Sequence, residues 1–556
     1  MQWKIQSPTV PKNADELTAV LFENRGLVKE RGRTLFRSPP SPLSLTLKDV
    51  GIDPKEMKKA ISLIEQAKRE NWNVVVFGDY DCDGICGTSV LWETLYEMGI
   101  KAMPFIPDRK RHGYGLSPVA LDEVLEGSQK TPKRSDLLIS VDNGIVALEG
   151  FARLKAAGVH TILTDHHQPE RKKGGRTSSP IFPVADVIIH TTHLCGTTVG
   201  WMLARELNPK KAESMLDLCA IATIADQVPL LGANRSFAKF GIEALRKTTR
   251  PGLLMLIEVA QLQKELIDTY AINYAIAPRI NAMGRIGDPK DGLRMLCSKK
   301  IETARMYASK VQNTNIERQT LTTSMIEFAR KHQESWQDDH IIIVESTEFH
   351  EGVIGLVAGK LVEDFAKPAI VISRREKIAK GSARSLAGIH ITELLRKVRD
   401  ELIDVGGHPM AAGFSLLNEN IAIFTEKLRK LAKETIGKEL LVKTLPVECE
   451  IDVKLVRAET VKSLEIFEPF GSANPTPFFA VRGLKLLDAQ VMGKEKQHLK
   501  VVVRGSDDMQ FPILFFGKAG MMRDLRIGQT MDIVGMLQIN VWNGRTEIQM
   551  IGKDIE

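Results

Sequence analysis

Cysteine is sparse and unpaired in this sequence. Cys82, Cys86, Cys195, Cys219, Cys297 and Cys449 are scattered through 556 residues with no CxxC pair. That pattern excludes a disulfide framework and a zinc knuckle, and a reducing, cytoplasmic setting is the expectation. Long apolar runs are missing too, so no segment is expected to span a bilayer and no membrane partner is expected. The opening stretch MQWKIQSPTVPKNADEL lacks the basic-then-apolar order of a secretory leader. Internal repeats and low-complexity tracts are absent. Excess charge is small. A net charge of +7 and a pI near 8.9 lean towards polyanionic partners without requiring one.

What remains is an ordinary globular composition, 43% apolar and 26% charged, in a chain too long for one core. Residues 1–50 read as a partly irregular lead-in, Pro-rich at 38–45. From 51 to 232, a helical pattern at 54–71 is followed by short apolar runs near 74–77, 102–106, 136–141, 159–164 and 186–190, separated by helical stretches. Such alternation predicts a parallel sheet covered on both faces. Residues 233–335 read as a helical connector, and a second α/β unit runs over 336–440. From 446 to 556 the pattern turns to short β runs, with a hairpin signal at Asn543–Gly544, and predicts a small barrel of oligonucleotide-binding (OB) type. The predicted class is therefore α/β, with a helical bridge, a second α/β domain and a C-terminal β-barrel.

Acids collect where those strands end. NVVVFG runs into Asp79, Asp81 and Asp83, DLLISV into Asp142, and HTILT into Asp165-His166-His167. Ligands of parallel α/β sheets bind at the carboxyl ends of the strands, so these segments should meet. Asp226, after a helix, is positioned to join them. A lone aspartate after a strand usually caps a helix. Three strand ends and a fourth acid exceed what capping needs, and clustered carboxylates call for cations. Mixed Asp and His donors suit Mn2+, with Mg2+ as the hard-oxygen alternative. DYDCDG imitates a calcium loop, but its twelfth position is Val90, where a Glu is needed.

The segments GDYDCDG, SVDNG, DHH and ADQVPL, in this order, resemble the signature motifs of the DHH phosphoesterase superfamily. PRINAMGRIGDP at 278–289, HEGVIGLVAGKL at 350–361, KGSARS at 380–385, GGHPMAAGF at 406–414 and PFGSANPTP at 469–477 extend the resemblance to RecJ-type exonucleases over nearly the whole chain. Three departures stand out. Phe77 occupies a position where many relatives carry His, VDNG replaces the more usual VDCG, and the stretch between Ile189 and Gly196 looks shortened.

The resemblance implies a metal-dependent exonuclease that degrades single-stranded DNA from the 5′ end to nucleoside 5′-monophosphates in repair and recombination. It implies two divalent cations, with Asp81 and Asp83 on separate ions, Asp142 bridging, His166 and Asp226 as further ligands, and Asp79 as ligand or support. His167 is the implied phosphate contact or proton donor. Arg109, Arg279, Asn281 and Arg285 are implied strand contacts. Ser382, Arg384, Gly406, Gly407 and His408 are implied to hold the 5′ phosphate. In the C-terminal unit Lys494, Lys496, His498 and Lys500 lie beside Phe515, Phe516 and Trp542, a pattern suited to single strands. A helicase or a single-strand-binding protein is a candidate partner. Two alternatives stay open, a DHH phosphodiesterase for short oligonucleotides or cyclic dinucleotides, and a non-catalytic single-strand-binding scaffold.

Overall fold

A computed structural model describes residues 1–126, 135–171, 179–506, 508–542 and 545–556, the side chains of 541–546 excepted. Two compact units result, one of 1–4 with 313–445 and one of 5–312 with 446–556. Among the described residues, no helix is long and apolar enough to cross a membrane.

The larger unit is built on five parallel strands, β1 (Val74–Phe77), β2 (Ala102–Phe105), β3 (Leu137–Val141), β4 (His160–Asp165) and β5 (Val187–His190). Their order is β2-β1-β3-β4-β5. Both faces are covered, so alternate residues enter different clusters: Val74, Val76 and Ile139 one, Val75, Phe77 and Leu138 the other. The chain leaves β1 towards one edge and β3 towards the other, which makes the β1/β3 boundary the switch point where a crevice opens. Helix α1 (Cys82–Glu97) follows β1, and α2 (Gly196–Leu207), α3 (Leu216–Ala225) and α4 (Ala277–Ile286) pack into the same core. The connector shares this core as far as Val311 and does not form a layer of its own.

The C-terminal strands β11 (Phe479–Met492), β12 (His498–Arg504), β13 (Gln510–Phe515), β14 (Thr530–Trp542) and β15 (Arg545–Ile555) are bonded in the order β11-β12-β13-β15-β14. Pairing of β14 with β11 closes the barrel. Phe515 is fully buried in it, whereas Phe516 is 58% exposed beside the His498 ring. β14 and β15 pair as far as Trp542 opposite Arg545, and the turn Asn543–Gly544 lies outside the described residues.

The lead-in is more regular than the sequence suggests. Ala14–Asn24 and Glu30–Arg37 are helices packed on the barrel's hydrophobic cluster. The second buries only Phe36, so it shows no apolar period to read. Phe22, Phe36 and Phe467 meet with ring centroids 4.7–5.9 Å apart. Against them lies Arg235, 1% exposed, with its guanidinium 3.7 Å from the Phe36 ring centroid. It donates to the carbonyls of Phe36, Ile466, Phe467, Glu468 and Pro469. Burial lowers its pKa to about 10, so it stays charged at neutral pH. Arg235→Ala would leave those carbonyls without their donor and should cost at least about 3 kcal/mol. Arg235→Lys should recover only part, because one ammonium cannot match the fork. Urea unfolding within about 0.5 kcal/mol of the parent for the alanine variant would remove this role.

The smaller unit holds a mixed sheet of β6 (Ile342–Ser346), β7 (Ala369–Ser373), β8 (Ile378–Arg384), β9 (Asp404–His408) and β10 (Ala411–Leu417), ordered β9-β10-β8-β7-β6. Only β6 and β7 run parallel.

Candidate metal centre

Asp81 caps α1, its Oδ1 accepting the Gly84 N–H at 3.0 Å. Capping and clustering are thus met in one residue. Asp83, in the first turn, is held by a second helix start, its oxygens accepting the Gly196 and Thr197 N–H groups of α2 at 2.7 Å each. Asp142 ends β3 in the left-handed region at φ 61°, a conformation that costs about 1 kcal/mol or more outside glycine. A Cβ on Gly196 would lie 2.3 Å from Asp142 Oδ1, so only glycine lets α2 start here. Asp226 stands at the C-terminal end of α3, where the helix dipole disfavours an anion.

His166 gathers these acids. Its Nε2 lies 3.2 Å from Asp142 Oδ1, 3.7 Å from Asp226 Oδ2 and 3.9 Å from Asp83 Oδ2. Two donor triads share it, Asp142–His166–His167 and Asp83–His166–Asp226, each with donor atoms within 4.8 Å of one another. Burial, then Asp83 and the other acids, push Asp142 well above the carboxylate range. Burial and Asp81 push Asp79 up to about 8, and burial with Asp83 does the same to Asp226. Asp81 is raised by burial and Asp83. Two like charges about 4 Å apart cost about 4 kcal/mol at an effective dielectric constant of about 20. Helix starts return at most about 1–2 kcal/mol each. Amides alone therefore cannot hold this cluster ionised. Asp142 Oδ1 is buried with no well-directed hydrogen bond among the described residues. An orphaned carboxylate oxygen between aspartates and an imidazole fits divalent-cation ligation.

Asp165 does different work. Its Oδ2 accepts the Ile145 N–H, and its Oδ1 accepts the His166 and His167 N–H groups and faces His167 Nδ1 at 2.8 Å. Burial opposes charge on His167, but Asp165 outweighs it and raises the imidazole to about 9. Burial lowers His166, leaving the neutral, ligating form. Three supports were given no role of their own from the sequence: Asp165, Tyr114, whose hydroxyl bonds Asp79, and His190, whose Nε2 meets the His167 carbonyl at 2.7 Å. Asp165 was legible as the acid adjoining the histidine pair, while the other two lie on segments with no motif. Phe77 is buried against Phe105 and offers no ligand.

The expected strand contacts divide. Arg109 lies over the Tyr80 ring at 5.8 Å, and Arg285 is near enough to Asp81 to stabilise its charge. Asn281 Oδ1 instead accepts the Cys82 N–H at 2.8 Å and so secures the start of α1. Arg279 is tied to Gln312 and the Ala275 carbonyl, both at 2.7 Å.

In the smaller unit, register pairs Arg384 with Ala411 and Ala411 with His408, and Ser382 with Gly413 and Gly413 with Gly406. Directly paired residues share a face. Ser382, Arg384 and His408 therefore border a floor of Gly406, Ala411 and Gly413, with open space above both glycines. Arg384 Nη1 donates to Ser382 Oγ at 3.1 Å. Gly355, in the first turn of helix Ile354–Phe365, lies against both, since a Cβ there would sit 2.9 Å from Arg384 Nη2. Gly407 belongs to the other face. Its φ of 141°, and the Ala411 carbonyl 2.3 Å from a would-be Cβ, make it a backbone requirement.

A parallel sheet with this donor set at its switch point defines the DHH class. The DHH family N-terminal domain matches residues 73–223, the DHHA1 domain 338–437 and the RecJ OB domain 447–554. The single-stranded-DNA-specific exonuclease RecJ of Bacillus subtilis is 33% identical over 578 residues, covering 100% of this chain and 70% of its own length. RecJ of Thermus thermophilus in complex with Mn2+ is similar in structure at a TM-score of 0.80 and 28% identity, covering 100% of this chain and 79% of that one. Its complex with Mg2+ gives 0.75 and 26%, covering 100% and 78%. The chain belongs to the RecJ family.

With carboxyls titrating near 8, the cation-free centre holds protons at neutral pH that a cation must expel. Mn2+ affinity should therefore rise from about pH 6 to about pH 8, and calorimetry at about pH 7 should register proton release that depends on buffer ionisation enthalpy. Folding without cations runs the opposite way with pH. Acids raised above their unfolded values near 4 favour the fold at low pH, and that contribution fades as pH rises through about 8. Buffer-independent heats would contradict the assignment.

Proposed function

We propose that this protein is a divalent-cation-dependent exonuclease that hydrolyses single-stranded DNA from the 5′ end to nucleoside 5′-monophosphates, in DNA repair and recombination. The observation that carries the reading is the Asp83–Asp142–His166–Asp226 cluster at the sheet's switch point, in a chain aligned along its whole length with RecJ. The closed barrel and the RecJ OB domain match favour long strands over short oligonucleotides or cyclic dinucleotides.

Asp83, Asp142, His166 and Asp226, with Asp81 and Asp79 beside them, would hold two cations, Mn2+ or Mg2+. When bound, such cations polarise the phosphoryl oxygen, activate water near neutral pH and stabilise the leaving oxygen. The chain's own groups do the rest. His167, charged through Asp165, donates a proton to the leaving oxygen, and the Asp165 bond to Nδ1 leaves Nε2 to face the substrate. Arg109 and Arg285 neutralise the strand beside the Asp79–Asp81 loop. Ser382, Arg384, Gly406 and His408 recognise the 5′ phosphate over their glycine floor, and Phe516 with His498 offers a ring face on the barrel.

Asp142→Ala should abolish hydrolysis while leaving single-strand binding largely intact, as read by nuclease and anisotropy assays on one preparation. Near-normal turnover at saturating Mn2+ would remove Asp142 from the centre. Arg384→Ala should weaken use of 5′-phosphorylated DNA by about 1.5–3 kcal/mol and hardly affect a 5′-hydroxyl substrate. Equal losses on both would assign Arg384 to the strand in general or to the fold.

A further inference from the structure

Tyr270 and Tyr274 are the most exposed of the chain's six tyrosines, at 68% and 69%, and they are neighbours. Their ring centroids lie 4.6 Å apart at an inclination of 35°. Both sit where helix Thr269–Ala271 passes into the π-helical turn Ile272–Ile276, which continues into α4. Residues four apart are neighbours on a helix face, which stacks these rings, and π turns concentrate at functional sites. Ile272 and Ile276 are buried on the opposite side and anchor it, so the tyrosines cannot rotate inward.

The outward side is joined to the metal centre. Asn273 Oδ1 accepts Gln227 Nε2 at 2.8 Å, and Gln227 directly follows Asp226 with φ at 57°. The ring pair therefore flanks a bridge that starts one residue from a candidate ligand. Acids lie beside the turn's N-terminal end, whereas Arg279 reaches the Ala275 carbonyl at the other. Asp268 caps this helix and, after burial and Glu465, raises the Glu468 carboxyl, which Arg246 offsets in part. Phosphates would be repelled from that end, while uncharged bases would not. Two phenol rings kept in water gain from a flat partner, and a nucleobase supplies a face of the right size.

We infer that Tyr270 and Tyr274 form a stacking platform for bases of the single strand close to the metal centre. The inference rests on the proposed action on single-stranded DNA. The test is anisotropy binding in EDTA, which prevents cleavage, using the full-length protein with a labelled oligo-dT and an equally long abasic strand. Joint replacement Tyr270→Ala with Tyr274→Ala should weaken oligo-dT binding about 10- to 100-fold. The abasic strand should bind that variant as it binds the parent, and the salt dependence of oligo-dT binding should keep its slope, since no cation is removed. Tyr270→Phe with Tyr274→Phe should behave as the parent, because the ring faces survive. Unchanged oligo-dT binding by the alanine variant, or equal losses on both strands, would overturn the platform. A parent protein that binds neither strand would instead remove the functional reading, and the platform with it.

Discussion

Repulsion among aspartates at one end of the central sheet is the constraint around which the larger unit is arranged. Asp83, Asp142 and Asp226 approach a single imidazole with Asp81 beside them, and burial together with mutual repulsion pushes most of the four towards the protonated form. Several costly features are explained by keeping them together. Asp142 adopts a left-handed backbone, α2 must open on a glycine, and two helix starts are spent on Asp81 and Asp83. Strain and crowding of this kind persist where a ligand repays them.

The second organising device works through carbonyls. Arg235 collects oxygens from the N-terminal helices and from the segment entering the barrel, and the Phe22–Phe36–Phe467 group excludes water around it. Arg25 adds an ion pair with Glu448 and a bond to Asn474. Barrel and catalytic sheet thereby belong to one compact unit although more than two hundred residues separate them in the chain.

In the smaller unit, register gathers polar and small residues onto one face. Alternation along β8 puts Ser382 and Arg384 on one face, and pairing through Gly413 and Ala411 brings Gly406 and His408 onto it. Small residues between the polar ones leave open space, and Gly355 lets a helix start approach the arginine.

Much of this was legible without coordinates, because parallel strands announce themselves by buried β-branched runs and their ends by the acids that follow. Strand positions, the barrel, and the convergence of Asp83, Asp142, His166 and Asp226 came from that pattern. Other features depend on partners remote in sequence. The second N-terminal helix hides because one buried phenylalanine gives no period. The amide oxygen of Asn281 meets the Cys82 N–H, 199 residues away, a bond no local pattern announces. Tyr114 and His190 acquire roles only where the fold brings Asp79 and the His167 carbonyl to them, and the tyrosine pair becomes a surface only once its segment is helical and anchored by Ile272 and Ile276. Composition and periodicity encode which residues are buried and where strands stop. Which donor meets which acceptor is set by packing across the chain, so only the tertiary structure decided it.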